Sequence, residues 1–309
     1  MSEFNRYKVY GLLIKSEIDI SEFVLETSDR KVFDAKIVLE EMPKTIKESI
    51  LAGRNIFIEA NDVWFHIRGV ANYRITNGNK IAIEADKDAN INDIKSYLVG
   101  TCMGHLLYQK NILAIHGGAI EANNKALIIV GESGSGKTTL TTALRLKGYR
   151  FITDDLATIE FGSSIKVNHG YPGQRLCDDG MELFRYDVSK YQMINLDNRM
   201  KYVIPVRENF INKKTELGAI FEIATGNVNK VCVEEVFGGE KLKLVLRNVY
   251  SLKWVKHLGV NPLYFNKCLD LAKNIKIYKI IRPNEGFTTS DQILAIEGNV
   301  GITKEQQII

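Results

Sequence analysis

Ala126-Leu-Ile-Ile-Val130 runs without a break into Gly131-Glu132-Ser133-Gly134-Ser135-Gly136-Lys137-Thr138, and this junction decides how the rest of the chain is read. Five apolar residues between polar neighbours suit a buried strand and are too few for a helix. The eight that follow match GxxxxGK[ST] in full. In that pattern the glycines let successive backbone N–H groups turn inward around phosphate oxygens. A helix opening at Lys137 adds its positive end at the same spot. Lys137 is placed to neutralise the β- and γ-phosphates, and the Thr138 hydroxyl to hold Mg²⁺. The expected ligand is therefore ATP with magnesium, gripped by Gly131, Ser133, Gly134, Ser135, Gly136, Lys137, Thr138 and Thr139. A mere glycine turn would not need both the strand before it and the helix after it.

Downstream, the helix is expected from Lys137 to about Lys147, with Gly148 ending it as a left-handed cap. Tyr149-Arg-Phe-Ile-Thr153 reads as the next strand and delivers Asp154-Asp155 at its end. Phosphoryl transfer needs a carboxylate near the metal and a group that orients or deprotonates the acceptor. Strand ends on the phosphate-loop side of an α/β sheet are where ligands sit. The plain alternative for the same pair is a turn or an N-cap. Upstream, His116-Gly117-Gly118 closes a short strand, with room for the histidine to lie over the phosphates. A lone histidine is more often a structural hydrogen-bonder.

The first hundred residues are rich in strands. Tyr7 to Ile14 is apolar and β-branched or aromatic, and residues 56–60, 63–67 and 70–76 follow in quick succession. Asn77-Gly78-Asn79 makes a tight turn into the alternating strand 80–85. From Ile91 to Gln109 the apolar spacing turns helical, and the domain boundary is set there: residues 1–92 form a strand-rich N-terminal domain and residues 93–309 a catalytic one. Later signals are weaker. Strands are expected at 156–161, 165–168, 201–206 and 275–281, and helices at 240–258 and 262–274. The Thr288–Ser290 cluster is suited to capping a final helix.

Composition narrows the function classes. With 309 residues, 45% hydrophobic and 25% charged, the chain has an ordinary folded composition. A net charge of +4 without a basic arm makes nucleic acid an unexpected partner. No apolar run is long enough to span a bilayer, and the opening residues do not read as a signal peptide. Cys102, Cys177, Cys232 and Cys268 are far apart, which supports neither a zinc site nor a disulfide framework. A cytoplasmic location is expected, and oligomerisation is left open. Trp64 and Trp254 are read as core residues.

Together, the histidine-glycine strand, the phosphate loop and the tandem aspartates resemble the catalytic domain of HPr kinase/phosphorylase and its relatives in the phosphoenolpyruvate-carboxykinase-like fold. The match covers about residues 95–160 strongly. It implies an α/β (α+β) chain with a mixed sheet and a smaller strand-rich N-terminal domain. By residue, it implies that Asp155 accepts the proton of an attacking serine hydroxyl and that His116 assists near the γ-phosphate. Lys137 and Thr138 then act on phosphate and metal, with Asp154 beside the metal directly or through water. The chain departs from that family at Thr139, where an acidic residue is usual, and in lacking a glutamate-arginine-glycine segment. The nearest stretch is His169-Gly-Tyr-Pro-Gly-Gln-Arg-Leu176, so neither phosphorolysis nor an HPr substrate is implied.

A closer resemblance is to the HPr-kinase-like enzymes of lasso-peptide biosynthesis, carried by Tyr10-Gly-Leu-Leu-Ile-Lys-Ser-Glu17, Gly170-Tyr-Pro-Gly-Gln-Arg-Leu176 and Lys201-Tyr202. It implies a serine kinase whose partner is a ribosomally made precursor peptide, phosphorylated on its C-terminal serine. Arg175 would meet phosphate or the peptide carboxylate, with a purely structural arginine as the alternative. The roles of Asp178 and Asp179 stay open. An HPr-type protein kinase and a nucleotide-sensing module without chemistry are the rivals. Phe237-Gly-Gly-Glu-Lys241 faintly echoes a transport-ATPase signature but lacks the acidic strand that should follow. A carboxykinase lacks a basic cluster for a dicarboxylate and ranks last.

Overall fold

Tyr10 and Gly11 both take positive φ, 55° and 80°. The apolar run expected as one strand over 7–14 therefore folds back on itself, with Asn5–Val9 antiparallel to Leu12–Ser16. The computed structural model describes residues 4–196, 199–250, 258 and 261–301. It is a mixed α/β chain with parallel and antiparallel pairs in the same sheets.

The first sheet has eight strands, all between residues 5 and 85. Ala35–Leu39 lies parallel to both of its neighbours, Leu12–Ser16 and Lys80–Ala85. The expected hairpin forms at 77–79, with Asn77 and Gly78 at positive φ. One face, through Val38, Trp64 and Ala82, packs on Met42 and on Ile46 of the helix Lys44–Leu51, which the sequence pattern did not announce. Trp64 is buried there, stacked near Phe57. Trp254 lies outside the described residues.

The other face packs on the stretch expected as one helix over 91–109. It is built as Ile91–Tyr97 and Met103–Gln109, joined by a π-helical turn at Leu98–Cys102. Ile94, Leu98, Met103 and Leu106 share one apolar cluster with Tyr7, Ile37, Tyr73 and Ile83. Ala114, Leu156 and Tyr171 belong to the same cluster, so apolar contact is continuous across the boundary set at residue 92.

The second sheet is organised by Thr215–Gly226, a long strand that the sequence reading missed. Lys125–Gly131 runs parallel to it on one side and Lys276–Pro283 on the other. Helices cover both faces. Leu140 and Leu144 of Lys137–Leu146 pack with Ile129, Phe221 and Ile293 on one face. Leu244, Tyr264 and Leu271 pack with Ile128, Val130 and Ile220 on the other. Strand 125–131 is thus buried on both faces, which is why it reads as an unbroken apolar run.

The chain crosses this sheet twice. Leu113–His116 is at one end of the strand order and Gly118–Ala122 is next to the strand at the other end, with Gly117 at the corner. Arg150–Thr153 and Leu156–Glu160 make the second crossing, with Asp154-Asp155 at its corner. The corners touch: the Gly117 amide donates to the Asp155 carbonyl at 3.2 Å. A Cβ at residue 117 would stand 2.4 Å from the Ile129 carbonyl oxygen, so only glycine allows the approach.

A three-stranded sheet of Gly173–Leu176, Arg199–Pro205 and Gln192–Leu196 completes the β structure. The helix expected over 240–258 is Gly239–Arg247, and residues 251–257 are not described. The final helix, Thr289–Val300, follows the Thr288 cluster as expected. The Thr288 hydroxyl accepts from Gln292 Nε2 rather than capping a backbone amide.

Candidate functional site

Strand 125–131 delivers the loop, and three glycines shape it. Gly131, Gly134 and Gly136 have φ of 147°, 82° and 100°, a region costly for any residue with a Cβ. Gly131 also lies against its neighbours, where a Cβ would be 2.6 Å from the Ile223 carbonyl oxygen. The helix opens at Lys137 behind Gly136, with no side chain capping its first turn. Those amides are left to face a ligand, as an anion site requires. Lys137 Nζ donates to the carbonyls of Gly131 and Glu132, both at 2.9 Å. Burial holds its pKa below the usual lysine value and Lys201 adds to this, against the pull of Asp155 and Asp154. Ser135 Oγ is buried without a partner. A charged donor folded onto loop carbonyls, with an unanswered hydroxyl in the same loop, leaves polar groups there that an anion could engage.

The paired corners bring His116 and Asp155 together. Leu156 is in register with His116, and His116 Nδ1 is 3.2 Å from Asp155 Oδ1. Asp155 has φ +64°, a strained setting that aspartate tolerates better than most residues. Burial raises its carboxyl pKa, but His116, Arg175, Lys201 and Lys137 outweigh that and hold it below the usual range. Burial lowers the His116 pKa, helped by Lys137 and Lys201 and opposed by Asp155. Near neutral pH the carboxylate is charged and the imidazole is not.

Asp154 behaves differently. It is 4% exposed, and its Oδ2 accepts the Arg175 amide at 3.2 Å. Burial, and then the charge of Asp155, push its pKa up to about 6. Of the residues assigned to phosphate, metal or proton work, only Asp154 lies outside the two cavities beside the loop. A role at the ion through water is the form of its assignment that this geometry leaves.

The main cavity is a cleft of about 910 Å³ with Lys137, Thr138, His116 and Asp155 on its walls. Arg175 lines it too, but its guanidinium is buried and donates to the Ser96 carbonyl at 3.0 Å. The π-helical turn contributes Gly100 and Thr101 beside it. The Tyr10 amide donates to the His169 carbonyl at 2.9 Å, which ties the Tyr10-Gly11 turn to the stretch that leads into Gly170.

Arg199, Lys201 and Arg247 add three more cations to the walls. Arg247 went unnoticed in the sequence. Glu222, on the central strand and 6% exposed, takes Arg247 Nε at 2.7 Å and also its Nη2. Asn248 Nδ2 donates to the same carboxylate at 3.1 Å, and the Asn248 carbonyl accepts the His116 amide at 2.7 Å. Residues 25 and 26 positions apart in sequence share one buried carboxylate, and no local pattern could have shown it.

Among the described residues no group of three or more His, Cys, Asp or Glu could hold a metal on its own. Cys102, Cys177, Cys232 and Cys268 are free thiols. No helix among the described residues is long and apolar enough to cross a membrane.

No family model matches the chain, and no curated protein matches it. Among solved structures, the chain is similar to the HPr(Ser) kinase/phosphatase from Coxiella burnetii at a TM-score of 0.32 and 11% identity. That similarity covers 61% of this chain and 97% of the other.

Proposed function

We propose that the chain is an ATP-dependent kinase that transfers the γ-phosphoryl group to a serine hydroxyl of a peptide, the C-terminal serine of a lasso-peptide precursor. The observation that carries the transfer is the Asp155 carboxylate, 3.2 Å from the His116 ring in the same cleft as Lys137. A module that only senses nucleotide has no use for a strained, charged carboxylate there. The serine-peptide acceptor rests on the sequence resemblance, and the surplus of cations on the cleft walls suits an acceptor that brings its own negative charge.

Loop amides and Lys137 hold the β- and γ-phosphates, and Asp155 takes the serine proton as the hydroxyl oxygen bonds to phosphorus. The bond from phosphorus to the bridging oxygen breaks, and ADP leaves. Thr138 and the nearby carboxylate would hold magnesium, which supplies charge neutralisation at the phosphates. Neutral His116 stays beside Asp155 and keeps it oriented.

Incubation with γ-labelled ATP, magnesium and a serine-ended precursor peptide tests the reading. Label should enter that peptide and not its alanine-ended counterpart. Tight nucleotide binding with no label on any serine peptide would reduce the chain to a ligand-binding module.

A further inference from the structure

We infer that the base and ribose of the nucleotide occupy a second pocket on the far side of the phosphate loop, with the Phe287 ring as its stacking face. The inference rests on the nucleotide-binding reading above and deepens it. The pocket has a volume of about 330 Å³, at the small end of the range for ligand sites. It joins the main cleft: Gly134, Gly136, Thr139 and Asp179 line both. Lys137, Thr138, His116 and Asp155 line only the cleft, so the two spaces lie on either side of the start of the helix.

In-line transfer sets which side is which. The leaving group must depart opposite the incoming acceptor. With the acceptor beside Asp155 and the γ-phosphate at Lys137, the α-phosphate and nucleoside must run away from both. Thr139 and Leu140, the next residues round the helix, turn to the second pocket, which lies on that path.

Its chemistry suits a nucleobase. Phe287, which lines the pocket, is 64% exposed, so most of its aromatic surface is open to a ligand. Gly286, with φ +86°, makes the turn that presents it. Leu183 and Leu140 add apolar surface, and Arg282 and Thr288 add polar groups for a base edge. Aromatic and guanidinium planes both stack on bases. Asp179, at the junction of the two spaces, is an acceptor placed where ribose hydroxyls would pass.

Calorimetric titration of the full chain with magnesium-ATP and with magnesium-tripolyphosphate tests this. Phe287→Ala should weaken ATP binding about tenfold or more, the scale of one lost base–aromatic stack, and leave tripolyphosphate unchanged. Phe287→Trp should keep ATP affinity and shows that the pocket still folds. Equal losses for both ligands in Phe287→Ala, or no loss for ATP, would overturn the inference. If the wild-type chain binds neither ligand, the phosphate-loop reading itself falls and this inference with it.

Discussion

His116 Nδ1 and Asp155 Oδ1 stand 3.2 Å apart at the meeting point of two strand corners. Because burial keeps the imidazole neutral and surrounding cations keep the carboxylate charged, the contact is a hydrogen bond to a carboxylate, not an ion pair. The carboxylate is thus unprotonated and open to take a proton from the acceptor. Asp155→Asn should therefore retain ATP affinity and lose transfer by on the order of 10²-fold or more. The comparison is a titration for ATP against a single-turnover measurement of label transfer. Full turnover in the asparagine variant would remove Asp155 from the chemistry.

Glu222 is the buried anchor for Arg247 and Asn248, and Arg247 reaches the cleft. Truncating Arg247 to alanine leaves a carboxylate on the central strand with Asn248 as its remaining side-chain donor. That should cost about 2–3 kcal/mol, somewhat below the full cost of breaking a buried pair because Arg247 is half exposed. Adding Glu222→Gln removes the stranded charge and should restore part of the loss. Denaturant unfolding of the single and double variants measures the coupling, and strictly additive losses would show that the pair is not the anchor.

Asp154 makes a pH prediction with a definite sign. Its folded pKa of about 6 lies above the ordinary carboxylate value, so the folded state binds the proton more tightly than the unfolded state. Its contribution favours folding at low pH and is lost as pH rises through about 6. Ionisation then weakens the fold by about 2–3 kcal/mol at pH ~8. Asp154→Asn removes that penalty, so its melting temperature should exceed the wild-type value by a few degrees at pH ~8 and by little at pH ~4. An equal gain at both pH values would show that folding does not raise the Asp154 pKa.

The strand, glycine turn and helix around residues 125–146 were legible in the sequence because their requirements are local. Glycines at positive φ, the lysine and the hydroxyl all lie within eight residues, and the strand buried on both faces announces itself as an apolar run. Strand 215–226 was not legible. Glu216 and Glu222 break its apolar pattern and Gly218 sits in its interior, yet Glu222 is tolerated because Arg247 and Asn248 pair with it from a distant helix end. The turn at Tyr10-Gly11 was hidden by side chains that read as strand while the backbone takes positive φ. The aspartate pair was found from its strand end, but the division between a cleft-lining Asp155 and an amide-bound Asp154 comes from the corner geometry. Local rules gave the loop at 131–136, and tertiary contacts gave the wall opposite it.

Gly104 is a test of how that opposite wall is held. It lies inside the helix Met103–Gln109, where replacing glycine by alanine normally stabilises by about 1 kcal/mol. Here an added Cβ would stand 2.2 Å from Cε1 of Tyr250, a cleft-lining residue whose ring centre is 5.8 Å from that of His116. The Tyr250 amide donates to the Ala114 carbonyl at 2.8 Å, so relief of the clash has to come from the ring or from the helix carrying Gly104. Overpacking of this kind costs about 1–3 kcal/mol and outweighs the gain in helix propensity. Gly104→Ala should thus be destabilised, and its transfer activity should fall as Tyr250 is pushed toward His116. In a Tyr250→Ala background the clash is gone, so the same substitution should turn neutral or stabilising. A Gly104→Ala effect of the same sign and size in both backgrounds, read by thermal unfolding, would show that the glycine answers to something other than this ring.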